Sequence, residues 1–71
     1  MAIDRFLEGA AFEPETTKAM AAAYEEALRA LGIADRADPR TEIIARRIIA
    51  SATAGEDDPV RLREAALRPF R

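Results

Sequence analysis

The sequence predicts an all-α protein, a compact three-helix bundle with helices over about 14–31, 39–54 and 59–68. Three observations point there. First, an acid–proline step occurs at Glu13-Pro14, Asp38-Pro39 and Asp58-Pro59. Proline suits the first helical position, where its missing N–H would have no partner anyway. The acid before it can cap free amides and offset the positive helix end, Asp better than Glu. Second, a stop follows each start: Gly32 and Gly55 stand where a left-handed residue closes a helix, and Pro69 ends the third segment. Third, apolar residues recur with a helical period between these signals, and no stretch alternates convincingly with period two.

The elements follow in order. In the N-terminal "AIDRFLEG", Ile3, Phe6 and Leu7 have helical spacing before Gly9. This stretch reads either as a short helix over 3–8 lying on the core or as part of a mobile arm over 1–11. In helix one, at about 100° per residue, Met20, Ala23, Tyr24, Ala27, Leu28 and Leu31 share one face. Glu15, Lys18, Ala22, Glu25, Glu26 and Arg29 share the opposite face, with Glu25 four residues before Arg29, the favourable order for a surface pair. In helix two, Thr41, Ile44, Ala45, Ile48, Ile49 and Ala52 form an apolar stripe about 140° wide. Ile43 lies beyond that stripe, in line with Ala50 and Ala54. A helix that is apolar nearly all round is central or carries an interface. In helix three, Leu62, Ala65 and Ala66 face one way and Val60 and Leu67 another, while Arg61, Glu64 and Arg68 line the polar side. An isolated helix of that length is marginal in water and must pack to persist.

The stretch "TEIIARRIIASA", residues 41–52, sets Arg46 and Arg47 between isoleucine pairs. Adjacent helical residues diverge by about 100°, so the two arginines cannot form one joined patch. Arg46 lies one turn after Glu42 and can pair with it for a few tenths of a kcal/mol. Arg47 lies one turn after Ile43, where its stem can cover that side chain while its head stays in water. Two covers for Ile43 remain open. Residues 1–12, with Phe6, Leu7 and Phe12, can fold back over it, or a partner can.

Three stretches, "FEPET" at 12–16, "ALRALG" at 27–32 and "ARRIIASATAGEDDPVRLREAAL" at 45–67, carry a resemblance. Together they resemble a group of small uncharacterised helical proteins from rhizobia and related α-proteobacteria. The resemblance covers about residues 12–67. Its motifs are caps, turns and core, so it implies a bacterial cytoplasmic helical protein and assigns no activity and no site residue.

The totals narrow the chemistry. Seventy-one residues make one small domain, 1–71, near the size where a single core supplies only a few kcal/mol. Alanine supplies much of the 49% hydrophobic fraction and buries little area per residue. Chains this poor in bulky residues tend to gain stability by oligomerising or docking on a partner. With no cysteine, disulfides and thiolate metal sites are excluded. With no histidine, the commonest general base and metal ligand are missing. The N-terminus lacks a signal peptide's apolar region, and no apolar run approaches the roughly 20 residues that span a bilayer. A cytoplasmic location is the expectation. Ten of the eleven cations are arginine, which with the abundant alanine fits a GC-rich bacterial genome better than a function.

A Ser or Thr nucleophile would lack its base, and three short alanine-rich helices offer little room for a pocket of several hundred Å3, so no catalytic site is expected. "GEDDP" at 55–59 holds Glu56, Asp57 and Asp58, but without the alternating ligands of a calcium loop. It reads as a capped helix start, and neither metal nor cofactor is expected. Helix two, a turn and helix three could imitate a helix-turn-helix, yet the second helix would present three carboxylates to a polyanion. Residues 60–71 carry +3, so the alternative to an interaction module is an accessory nucleic-acid-binding protein using the basic patch Arg61, Arg63, Arg68 and Arg71. The favoured expectation is a small non-catalytic interaction or regulatory module. Its partner would be an unknown protein or itself, as a homodimer, through Ile43, Arg46, Arg47, Ala50 and Ala54.

Overall fold

A computed structural model describes residues 12–70. Its elements are α1 (Pro14–Ala30), α2 (Pro39–Thr53) and α3 (Pro59–Leu67), followed by a 3-10 turn over Arg68–Phe70. Each helix packs against the other two, so this is a compact three-helix bundle with no strand among the described residues. The N-terminal helix expected over 3–8, and the alternative arm over 1–11, lie outside the described residues. Phe12, the first described residue, packs half-buried against the core.

All three helices begin at the prolines that the acid–proline steps mark. The Asp38 side chain accepts the Arg40 amide and the Asp58 side chain accepts the Val60 amide, each at 2.9 Å. Glu13 makes no such side-chain cap. One extra methylene places its carboxylate past the amides that the shorter Asp reaches, so only its carbonyl serves, accepting from Thr17 at 2.9 Å.

The two glycine stops also form. Gly32 (φ +68°) and Gly55 (φ +106°) adopt the left-handed backbone that side chains rarely tolerate. Around Gly32, the Ile33 amide reaches Leu28 O at 2.9 Å and the Gly32 amide reaches Arg29 O at 3.1 Å. Around Gly55, the Glu56 amide reaches Ser51 O and the Gly55 amide reaches Ala52 O, both at 3.0 Å. Both ends are complete Schellman motifs. The first also brings Ile33 and Leu28 into the core together. Leu31, Ala54 and Arg68, expected as last helical residues, are the C-caps.

The core forms where the periodicity placed it. Met20, Tyr24, Ile44, Ile48 and Leu62 are its largest fully buried side chains. Thr41 is buried within the α2 stripe and stays satisfied because its hydroxyl donates to Asp38 O at 2.7 Å. Three details differ from expectation. Leu67 does not share the fate of Val60: the buried arc of α3 runs from Leu62 past Ala66 to Leu67, while Val60, at the rim of the first turn, is 51% exposed. Glu25 pairs with Arg36 from the α1–α2 loop rather than with Arg29, because the guanidinium fork makes two bonds to it, at 3.2 and 3.0 Å. Pro69 does not end the chain's helical path at once, since a 3-10 turn continues through it to Phe70.

Two stability predictions follow from the caps. Replacing Asp58 by Ala should cost about 1 kcal/mol in urea unfolding, whereas Glu13→Ala should cost far less. The Arg40 side chain folds back on Asp38 at 2.7–3.2 Å and, with the Arg40 amide, holds that carboxyl below the usual carboxylate range. A lowered folded-state value stabilises the fold above the unfolded value of about 3.9, and the contribution fades as pH falls through the folded value. The stability gap between wild type and Asp38→Asn should therefore narrow as pH drops from about 5 to about 2. A gap that stays constant in acid denaturation curves would show that the pairing contributes nothing.

Candidate functional site

The buried arc of α2 consists of Thr41, Ile44, Ala45, Ile48 and Ala52. Opposite it, within about 20° of one line, stand Ile43, Ala50 and Ala54, all exposed. Ile43 is 45% exposed and, with Val60, is one of two large hydrophobic side chains left in the open among the described residues.

The two arginines beside this line have different fates. Arg46 points outward and pairs with Glu42 one turn earlier, as the spacing predicts. Its side chain is 73% exposed, so the pair contributes little. Arg47 departs from expectation, because its head is not left to water. Its Nε donates to the Ala65 carbonyl of α3 at 2.8 Å, and the residue is half-buried. The cause lies four residues beyond Ala65. In an α-helix that carbonyl would accept from the amide of residue 69, and Pro69 has none. Arg47 supplies the missing donor from a neighbouring helix.

The expected basic patch does not assemble. Arg61 and Arg68 are seven residues apart and share the outer side of α3, whereas Arg63 lies about 160° from Arg61 around the helix. Arg63 approaches Glu26 of α1 at 3.9 Å and Glu64 at 3.5 Å. Arg61 approaches Glu56 at 3.9 Å. Arg71 lies outside the described residues. Helical rotation alone splits the group, and nearby carboxylates offset it further.

What the fold does bring together is an open groove between α2 and α3 that the sequence reading missed. It measures about 650 Å3 and is lined by Ser51, Ala54, Gly55, Glu56, Arg61, Glu64, Ala65 and Arg68. A second groove of about 420 Å3 lies between α1 and the start of α3, beside Ala19, Ala22 and Pro59. The expectation of no such volume fails because alanine and glycine floors stand between long charged side chains. Both grooves open to solvent. The "GEDDP" acids have local partners: Glu56 accepts the Asp57 and Asp58 amides at 3.2 Å each, and Asp58 caps α3. Among the described residues no group of three or more acids is placed to hold a metal, and no helix is long and apolar enough to cross a membrane.

Comparison with protein-family models, with curated proteins and with solved structures gave no match.

The contrast between the arginines is measurable. Arg47→Ala leaves the Ala65 carbonyl part-buried without its donor and should cost about 1–3 kcal/mol. Arg46→Ala should cost a few tenths. Equal effects in urea unfolding would rule out the role given to the Arg47–Ala65 bond.

Proposed function

We propose that this chain is a small non-catalytic interaction module that self-associates through the outer face of α2. One observation carries the proposal: Ile43 is 45% exposed on that face, with the small residues Ala50 and Ala54 in line with it on the C-terminal side. Small residues beside a bulky one let a second helix approach closely, and burying an isoleucine side chain is worth about 1.5–3 kcal/mol. The modest core supports the same reading, since small helical chains commonly gain stability from a partner. The Glu42–Arg46 pair forms a polar rim, as interfaces have around an apolar centre.

The accessory nucleic-acid reading draws less support. Of its described arginines, Arg63 points away from the side of α3 that Arg61 and Arg68 share, and Arg61 and Arg63 each approach a carboxylate of their own chain.

Sedimentation equilibrium of the wild type at two widely separated concentrations should show a mass that rises with concentration. Ile43→Glu should abolish the rise while keeping the helical circular dichroism and melting cooperativity of the wild type. A wild type that stays monomeric at both concentrations sinks the homodimer.

A further inference from the structure

We infer that the groove between α2 and α3 receives Ile43 of a second copy of this chain, in a two-fold pair whose α3 helices run antiparallel. This rests on the reading that the outer face of α2 mediates self-association. It adds the acceptor, the direction and the charges that select them.

The geometry starts from the bond of Arg47 Nε to Ala65 O, which joins residues nine before and nine after Glu56, the middle of the short loop between α2 and α3. Helices joined in this way run in opposite directions, with these two residues near one level. Ala54 at the end of α2 and Arg61, Glu64 and Arg68 on and just after α3 line the groove, and Ile43 and Ala50 stand in line with Ala54 on the outer face of α2. Along this wall of the groove the signs alternate, from Glu56 in the loop before α3 through Arg61 and Glu64 to Arg68 just after it. Laid against a reversed copy, Arg61 meets the second copy's Glu64 and Glu64 meets the second copy's Arg61. A parallel copy would set like charge on like, which disfavours that pairing. Arg61 and Glu64 already have neighbours in their own chain, Glu56 at 3.9 Å and Arg63 at 3.5 Å, so the second copy extends a ladder of charges.

Centring this ladder between Arg61 and Glu64 determines where Ile43 lands. Counted from the level of Arg47 and Ala65 at about 1.5 Å per residue, Ile43 of one copy falls within a residue or two of Ala54 and Gly55 of the other. That is the end of the groove with the least side chain to displace. The contact is reciprocal, as a two-fold interface requires. The Cα extents of 29 × 22 × 15 Å limit a flat face to roughly 600 Å2 per copy, or about 1,200 Å2 in all, the lower end of stable interfaces. A weak, concentration-dependent dimer is expected.

The chain has no cysteine, so introduced thiols report the register directly. Under mild oxidation, a mixture of Ile43→Cys and Ala54→Cys chains should give a disulfide-linked dimer, and neither chain alone should, because a disulfide needs Cα atoms within about 7 Å. In sedimentation equilibrium, Arg61→Glu and Glu64→Arg should each weaken association about five-fold, and the double reversal should recover most of the loss. Melting curves should show each variant folded. Association that Ile43→Glu abolishes, but that neither cross-links in the mixture nor responds to the reversals, overturns the antiparallel groove and leaves the α2 reading standing. A monomeric wild type overturns both.

Discussion

The outer face of this protein depends on a carbonyl that proline leaves without its helical donor. Residue 69 would ordinarily give its amide to Ala65 O, and Pro69 cannot. Arg47 reaches across from α2 to fill the vacancy at 2.8 Å. That bond ties α2 to α3 beside the groove and takes one guanidinium out of the exposed face. It also satisfies the chain where it leaves α3 for the 3-10 turn that sets Phe70 against the core. The other two helix ends are closed locally, by glycines in left-handed geometry. The third has no glycine, and its closure is a tertiary contact 18 residues away. Secondary structure and packing are therefore one problem at this end of the bundle.

Alanine shapes the rest. Ala19, Ala23 and Ala27 of α1, Ala45 and Ala52 of α2, and Ala66 of α3 are buried, which lets the helices approach closely around eight larger side chains. The gain is tight packing, and the cost is a core with little apolar area to stabilise it. The same composition explains the grooves. Where alanine or glycine forms the floor and arginine or glutamate the walls, a depression remains even on a small bundle.

How far the sequence was legible follows from the range of each interaction. Helix starts were legible because a cap is chemistry within three residues: aspartate before proline at 38 and 58 does what its length allows, and glutamate at 13 does not. The glycine stops and the buried stripe of α2 were legible for the same local reason, one from φ and the other from period. Local rules stop sufficing where two elements have to be placed together. Glu25 has a plausible partner one turn away, yet a loop arginine 11 residues on makes the better fork. Leu67 and Val60 share a helical direction, but only one lies at a level where the core can receive it. Pro69 does announce an orphaned carbonyl at Ala65. Nothing local names Arg47 as its donor, and its neighbour Arg46, of identical chemistry, pairs with Glu42 instead. The grooves belong to the same class, since their walls come from two helices and their volume from what alanine omits.

Ile43 is the residue that the described fold itself does not account for. On an exposed helical position an alanine is the better helix former, by a few tenths of a kcal/mol over isoleucine. Alanine is what stands in line with it at 50 and 54. An isoleucine there lowers the intrinsic preference for helix and leaves its apolar surface 45% in water. Arg47, the side chain best placed to cover it, is engaged with α3 instead. A single exposed apolar residue is ordinary on a protein surface. This one heads a line of exposed alanines on the outer face of α2, and the far end of that line, at Ala54, borders an open groove of alternating charge. Those surroundings are what a contact surface of a weakly stabilised bundle requires, and they make Ile43 more than the residue left over when the core was full.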